Sequence, residues 1–342
     1  MRIFTLITLL ILTAGIAHAA EGAPRKKTIQ AMGGIPINIS AWGMSQDTFD
    51  LSVMLIAGRI EQLEAMMSTY RDDSEISRIN RGERLAQLPP ELSGLIHKSL
   101  GISVSTGGAF DITVQPLVQL WKSSATADRL PAAEEVAEVM SVVGYRHVSM
   151  EPGGVPEFDT PGVMLDLGGI AKGYFADEAV ELLARGGATR AIVDCGGDVR
   201  TWQRPRSAAG GVDPKLFRVA INHPLRPGER LGVIELEQGA VVTSGNYERF
   251  YEIGGRRYCH IFDPRTGWPV EGVYSVTLLA PTGLEADALA TAVFVMGPED
   301  APAYIEDHPD LEAVIAIDDG DGGMEVYISP GLIERFKLVS PG

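Results

Sequence analysis

Apolar side chains follow two patterns along this chain, helical spacing and short continuous runs, and together these predict a mixture of helices and strands. Leucine, isoleucine and methionine residues lie three or four positions apart over residues 45–70, a spacing that predicts one long amphipathic helix. Pro89-Pro90 then interrupts the chain, as proline pairs do. The same helical spacing predicts further helices over residues 91–106, 132–142, 171–184 and 284–297.

Shorter apolar runs bounded by glycine or proline predict strands. The segment FYEIGGRRYCHIF, residues 250–262, predicts a hairpin because two apolar-rich runs flank a Gly-Gly pair. Residues 122–129 are polar and are expected to form a connection. Helices and strands alternate without a regular βαβ rhythm, which favours the α+β class, with mixed sheets and packed helices. The remaining strands are expected at residues 163–167, 191–199, 275–281 and 311–318.

The first nineteen residues have the pattern of an export signal. Arg2 precedes an apolar run over residues 3–16, and the small-x-small triplet Ala17-His18-Ala19 follows it. This pattern predicts cleavage after Ala19, so that residues 20–342 form the mature protein. An uncleaved membrane anchor is disfavoured because a span needs roughly 20 apolar residues. The residue directly after the cleavage site is alanine and not cysteine, so we expect a periplasmic protein without a lipid anchor.

The charge of the chain limits its partners. The formal net charge is −16, and removal of the signal takes away Arg2 and no acid, which makes it one unit more negative. Such a surface repels nucleic acid, so no nucleic-acid partner is expected. A phosphorylated substrate must be held by local donors or a bound cation. The only two cysteines, Cys195 and Cys259, could pair or remain as two buried thiols.

Two segments carry groups suited to binding phosphate and metal. LDLGGIAKGY, residues 165–174, places an acid, two glycines and a lysine where a strand is expected to pass into a helix, an arrangement that suits an anion. The segment also fits a plain glycine turn. Asp287 and Thr291 are four residues apart and share a helix face, where a carboxylate and a hydroxyl suit magnesium. Solvation or helix capping is the alternative for this pair.

Four further residues have two interpretations each. Asp111 interrupts an apolar run, so it must be partnered structurally or must hold donor groups of a ligand. Tyr70 follows a helix and is either a stacking platform or a core aromatic. His260 precedes an Asp-Pro-Arg-Thr-Gly turn and is either a base or a structural histidine. Arg265 either holds that turn or lies on the surface.

The co-occurrence of seven segments resembles the ApbE family, the FAD:protein FMN transferases. The resemblance covers nearly all of the mature chain, as a single catalytic unit. One departure is the Met-Gly-Gly near the start, where many members have Met-Gly-Thr, which leaves the contacts of Gly34 open. In chain order the segments are AMGG, MSTYRDDSEISRIN, GGAFDITVQPLVQLW, LDLGGIAKGYFAD, VDCGGDV, TSGNYERFYEIGGRRYCHIFDPRTGWPV and EADALATAVFVMG.

The resemblance implies a magnesium-dependent enzyme that binds FAD and passes its FMN half to a threonine of an acceptor protein, releasing AMP. The acceptors it suggests are membrane redox subunits, such as those of sodium-pumping quinone reductases. His260 would take the proton of the threonine hydroxyl. The implied magnesium ligands are a main-chain oxygen of Gly169 and the side chains of Asp287 and Thr291. The implied contacts to the flavin nucleotide are Met32, Tyr70, Ala109, Phe110, Asp111, Asp166, Lys172, His260 and Ile261.

Two other functions use the same residues. In a magnesium-dependent FAD pyrophosphatase, water would attack in place of threonine and give FMN and AMP. In an exported FAD-binding protein, the flavin would only be stored or delivered. Pure binding is disfavoured because storage requires neither a base nor the Asp287/Thr291 pair.

Overall fold

The computed structural model describes residues 22–205, 215–247 and 249–339, and the predicted signal peptide lies outside these ranges. The helices are close to their predicted positions, with two additions. Neither α2 nor α4 was predicted from the pattern of apolar residues. The helices are α1 (Gln46–Met67), α2 (Glu75–Asn80), α3 (Pro90–Ser105), α4 (Gln115–Thr126), α5 (Ala133–Met140), α6 (Gly168–Arg185) and α7 (Gly283–Glu306).

The strands form one large antiparallel sheet and three small ones. The large sheet has the order β1-β2-β5-β6-β9-β12-β13-β14, and a three-stranded sheet has the order β15-β8-β7. Two hairpins, β3-β4 and β10-β11, complete the set. The strands are β1 (Arg25–Ala31), β2 (Ile35–Trp42), β3 (Val148–Ser149), β4 (Glu157–Phe158), β5 (Arg190–Cys195), β6 (Asp198–Gln203), β7 (Phe217–Asn222), β8 (Arg230–Leu236), β9 (Gly239–Gly245), β10 (Phe250–Ile253), β11 (Arg256–Cys259), β12 (Val273–Ala280), β13 (Glu312–Asp318), β14 (Met324–Ile328) and β15 (Phe336–Leu338).

The large sheet is buried on both faces, which explains why its central strands are apolar at successive positions. Side chains alternate between the faces of a strand. In β12, Leu278 packs with α7, whereas Leu279 packs with the three-stranded sheet. In β9, Val242 likewise packs with α7, and Val241 packs with the three-stranded sheet. The protein therefore has helices on one face of the sheet and strands β7, β8 and β15 on the other, and the expected α+β class is confirmed.

Two predicted elements were wrong. Residues 163–167 form no strand, because their backbone pairs outside any ladder: Asn80 donates to and accepts from Leu165, and the Asp166 N–H donates to the Ile112 carbonyl. Residues 122–126, predicted to lie in a polar connection, form the last turns of α4. That helix buries Leu117 and Trp121, which are four residues apart.

Helices α6 and α7 cross at a pair of glycines. A Cβ atom added to Gly173 would lie 2.0 Å from the carbonyl oxygen of Gly283, so neither position has room for a side chain. Asp177 of α6 accepts hydrogen bonds from the N–H groups of Gly283 (2.8 Å) and Leu284 (2.9 Å), and so caps the start of α7. The first part of α7 ends as predicted at Gly297, where φ is 82° and the helix is kinked.

The two cysteines are free and buried, which resolves the alternatives left open for them. Burial raises the pKa of both thiols, that of Cys259 to about 11. None of the helices in the described part of the chain combines the length and apolar character of a membrane span.

Candidate active site

A cavity of about 600 Å³ lies between helices α6 and α7 and the β10-β11 hairpin with its following turn. The structure brings nearly all predicted site residues to this one cavity, although they come from distant parts of the chain. The predicted residues that line it are Tyr70, Ala109, Phe110, Asp111, Asp166, Gly169, Lys172, His260, Ile261, Asp287 and Thr291.

Met32 is the predicted contact that does not line the cavity. It lies in the tight turn between β1 and β2, with φ at 52°, and its side chain packs against the core beneath the helices. Ile35 and Pro36, at the start of β2, line the cavity instead. The turn therefore reaches the cavity through the residues that follow the Met-Gly-Gly segment.

One side of the cavity, which we call the helix wall, consists of Gly169, Lys172, Asp287 and Thr291. The glycine crossing brings α6 and α7 close enough for the Gly173 N–H to donate to Asp287 Oδ2 at 3.0 Å. A Cβ atom added to Gly169 would lie 3.5 Å from Thr291 Oγ1, which places the start of α6 against this hydroxyl. The helix wall thus brings the Gly169 backbone of α6 together with a carboxylate and a hydroxyl of α7.

The chemistry of this donor set fits a hard divalent cation. All three groups offer oxygen, which magnesium prefers, and Asp287 is only 3% exposed. Burial raises the pKa of Asp287, and the positive charge of Lys172 opposes that rise. No cluster of three or more histidine, cysteine, aspartate or glutamate residues in the described ranges could hold a metal. A cation here would therefore depend on the mixed set of backbone and side-chain oxygens.

The opposite side, which we call the hairpin wall, consists of Arg249, Phe250, Tyr251 and His260. The predicted hairpin is confirmed: Phe250 pairs with Cys259, and Gly254-Gly255 form the turn. His260 directly follows β11, and its Nδ1 lies 2.9 Å from the Arg249 carbonyl oxygen. Because a carbonyl only accepts, Nδ1 carries the proton and Nε2 keeps the lone pair.

The imidazole of His260 is neutral at ordinary pH. Burial lowers its pKa to about 4, and the nearby charges of Arg249 and Lys172 act in the same direction. An unperturbed histidine titrates near about 6.5. His260 is therefore a weak base whose Nε2 is already unprotonated at ordinary pH and can accept a proton.

The Asp-Pro-Arg-Thr-Gly turn after His260 is held by its own residues. Arg265 forms two hydrogen bonds with the Asp263 carboxylate, at 2.8 and 2.9 Å, and a third with the Val295 carbonyl of α7. Thr266 Oγ1 accepts the N–H of Trp268 at 3.3 Å. Arg265 thus holds the turn, while its side chain also remains exposed at the surface.

The helix α4 supports the same turn from outside. Trp121, fully buried, donates from Nε1 to the Gly267 carbonyl at 3.0 Å. Its ring stacks on Phe262, with centroids 5.7 Å apart. This contact explains why the apolar run around Trp121 folds as a helix that packs against the hairpin.

The acids at the base of the cavity have partners within the protein. Asp111 is 6% exposed and accepts from the N–H of Thr113 (2.8 Å), the hydroxyl of Thr113 (2.7 Å) and the N–H of Tyr145 (2.6 Å). Asp166 accepts the Gly168 N–H at 2.7 Å. Burial raises the pKa of both carboxyls. Asp111 therefore has structural partners, as one of its two interpretations requires, and it also borders the cavity.

Tyr70 lies at the mouth of the cavity and is 81% exposed. The alternative of a core aromatic was therefore wrong. An exposed ring beside an open cavity can stack on a planar ligand group.

Two residues of the site were missed from the sequence. Arg249 lines the cavity and supplies the carbonyl that orients His260. Asp198, in VDCGGDV, is 1% exposed and lies 2.8 Å from the Lys172 ammonium. The sequence signal for Asp198 is an acid directly after a Gly-Gly pair in a buried run, but nothing local connects it with Lys172.

Comparison with known proteins places the chain in one family. The ApbE family profile matches residues 34–315. The chain is 35% identical over 277 residues to an FAD:protein FMN transferase of Vibrio cholerae, covering 79% of this chain and 80% of the relative. It is 33% identical over 294 residues to one of Treponema pallidum, covering 82% and 80%.

Solved structures agree with this assignment. The ApbE protein of Thermotoga maritima superposes with a TM-score of 0.78 at 29% identity, covering 91% of this chain and 99% of that one. The flavin transferase ApbE of Vibrio cholerae gives a TM-score of 0.78 at 28% identity, covering 92% and 100%. The resemblance drawn from the motifs is confirmed. The chain therefore belongs to the ApbE family of flavin-transferring enzymes.

Proposed function

We propose that this protein transfers the FMN half of FAD to a threonine of an acceptor protein, in a magnesium-dependent reaction that releases AMP. The observation that carries the proposal is the arrangement of one cavity. Its helix wall offers oxygen ligands for a cation, and its hairpin wall offers a neutral histidine with a defined tautomer. The relatives named FAD:protein FMN transferase support the reaction class.

FAD would lie with its diphosphate near the start of α6. A helix N-terminus presents unpaired N–H groups to an anion, and Lys172 adds a positive charge in the same cavity. The overall charge of the chain is −16, so these local groups must outweigh long-range repulsion. Tyr70 at the mouth would stack on one of the two ring systems of FAD.

Gly169, Asp287 and Thr291 would hold magnesium. A bound magnesium ion neutralises diphosphate oxygens and polarises the phosphorus that is attacked. The protein contributes the position of these oxygens, which the glycine crossing of α6 and α7 determines.

His260 would act as the general base. The acceptor threonine hydroxyl loses its proton to Nε2 while its oxygen bonds to the phosphorus of the FMN half. The bond from that phosphorus to the bridging oxygen breaks, and AMP leaves with this oxygen. A positioned base of this kind is worth on the order of 100 to 10,000-fold in rate. The remaining catalysis of phosphoryl transfer comes from positioning and charge stabilisation.

The location and the acceptor follow from other parts of the proposal. The signal pattern in residues 1–19 supports export to the periplasm. An exported enzyme would meet the exposed parts of membrane redox subunits, and these are the acceptors we propose.

The test incubates residues 20–342 with FAD, magnesium and the periplasmic domain of a sodium-pumping quinone reductase subunit. A domain in which the acceptor threonine is replaced by alanine serves as the control. We expect AMP in amounts equal to protein-bound flavin, measured by chromatography and mass spectrometry. Equal AMP and free FMN with either domain would identify a pyrophosphatase. FAD binding without AMP release would identify a storage protein.

A further inference from the structure

Two charged side chains of the helix wall, Lys172 and Asp287, meet a third, that of Asp198. Lys172 Nζ lies 2.8 Å from Asp198 Oδ2, and the Asp198 side chain is 1% exposed. The Asp198 carboxyl is also within hydrogen-bonding reach of Asp287, on which the Lys172 charge acts. One lysine therefore has two buried carboxylates as neighbours, and one of them belongs to the oxygen set of the helix wall.

Asp198 is held much more rigidly than the lysine it contacts. It is the first residue of β6 and follows a turn in which Gly196 and Gly197 adopt φ values of 64° and 102°. The N–H of Gly197 donates to the Asp194 carboxylate at 2.7 Å, which closes the turn. A lysine side chain, in contrast, has four rotatable bonds, and fixing it costs conformational entropy. The rigid partner therefore determines where the ammonium lies.

The position of the ammonium matters because Lys172 has a second role. Its side chain is 25% exposed and lines the cavity, where the diphosphate of FAD would lie. Without the Asp198 carboxylate, the nearby anion left to attract Lys172 within this trio would be Asp287. The ammonium would then be drawn towards the cation ligand and away from the cavity.

We propose that Asp198 is a positioning residue that holds the Lys172 ammonium beside the cavity for the diphosphate of FAD and keeps it from closing on Asp287. The inference rests on the proposed function, since it assumes that the diphosphate binds near Lys172. It concerns a group that touches neither the substrate nor the reacting atoms.

The inference predicts a change in FAD affinity opposite to the one that simple electrostatics predicts. If Asp198 were only a nearby negative charge, its removal would strengthen the binding of an anion. If it positions Lys172, its removal weakens the binding of FAD although one negative charge is lost. The effect should also require the lysine, because Asp198 acts through it.

The experiment measures binding of FAD and of riboflavin to residues 20–342 in EDTA, by calorimetry. The variants are Asp198→Asn, which keeps the side-chain shape, Lys172→Gln, and the two combined. We expect Asp198→Asn to weaken FAD binding about tenfold, which is less than the direct loss of one partner of a buried charge pair costs, because Asp198 acts through Lys172. Lys172→Gln should weaken it at least as much, and the double variant should bind as Lys172→Gln does. Riboflavin, which lacks phosphate, should bind all four proteins alike.

Two results would overturn the inference: FAD binding by Asp198→Asn as tight as that of the wild type or tighter, or an equal further loss on adding Asp198→Asn to Lys172→Gln. If Asp198→Asn alone does not fold, the comparison of Lys172→Gln with the double variant still decides the matter. Failure of the wild type to prefer FAD over riboflavin would instead count against the proposed function.

Discussion

The two walls of the cavity are built in different ways. The helix wall depends on contacts between distant parts of the chain: the hydrogen bond from Gly173 to Asp287 joins residues 114 positions apart. The hairpin wall depends on near neighbours, since His260 contacts Arg249 only 11 positions away. The turn after it is closed by a pair two positions apart, Arg265 and Asp263.

Under the proposed function, this difference separates cation binding from proton transfer. In the helix wall, the buried Asp287 carboxylate is held against its own desolvation by the close packing of α6 and α7. Proton transfer requires one ring in one tautomer, which a short hairpin can orient. Changes in the helix wall should therefore affect cation binding and stability, whereas changes in the hairpin wall should affect the rate.

The largest effect is expected from the helix wall, for Asp287→Asn. Magnesium-dependent transfer should be abolished, and the rise in Tm on adding magnesium should disappear because the variant no longer binds the ion. Without magnesium its Tm should be at least that of the wild type. The reason is that Asp287 is buried and faces no solvent. The neutral amide of asparagine would therefore remove a buried charge that costs stability in the absence of the ion.

The control is Asp300→Asn, which makes the same change at an exposed position of α7. It should retain both the activity and the magnesium-induced rise in Tm. If magnesium still raised the Tm of Asp287→Asn, the cation would bind elsewhere. The helix wall would then not be the cation site, and the two walls would not divide binding from proton transfer.

The next effect tests the hairpin wall. His260→Ala should transfer FMN roughly 100-fold or more slowly, as expected for loss of a general base, while binding FAD within a few-fold of the wild type. Flavin fluorescence of the acceptor in a gel reports transfer, and calorimetry reports binding. His97→Ala, at an exposed position of α3, is the matched control and should transfer normally. Near-normal transfer by His260→Ala would make this histidine structural.

A smaller effect tests the glycine crossing. Gly173→Ala should lower the free energy of unfolding by about 1–3 kcal/mol, because the new methyl group meets the Gly283 carbonyl and forces the helices apart. Gly94→Ala, in α3 with nothing within 4 Å of the added atom, should be neutral or stabilising by up to about 1 kcal/mol. Denaturant unfolding measures both. Equal effects in the two variants would show that close helix packing does not build the helix wall.

The smallest effect is that of pH on the hairpin wall. Because burial lowers the pKa of His260 to about 4, the imidazole stays neutral and transfer should change little between pH values of about 7.5 and 5.5. A histidine with the ordinary pKa of about 6.5 would be only about one tenth neutral at pH 5.5. Initial rates at saturating FAD, magnesium and acceptor provide the measurement. A loss of rate centred near the ordinary value would mean that His260 is not buried as described.

Predictions from the sequence succeeded where an element depends on near neighbours and failed where it depends on distant contacts. The hairpin at residues 250–262 was predicted correctly because its turn and pairing are local. The strand at residues 163–167 was wrong because its partners, Asn80 and Ile112, are distant and do not form a ladder. Helix α4 was missed because its last residues, 122–126, are polar and were assigned to a connection, and its contacts with the turn after the hairpin lie far along the chain.

The sequence by itself determined the α+β class, the hairpin that ends directly before His260, and the helix face shared by Asp287 and Thr291. These depend on periodicity and on the φ preferences of glycine and proline, which act over a few residues. The tertiary structure decided that Lys172 meets Asp198, that Met32 stays outside the cavity and that His260 has a low pKa. Burial and electrostatic fields are sums over all packed neighbours, and most of those neighbours are remote in the chain.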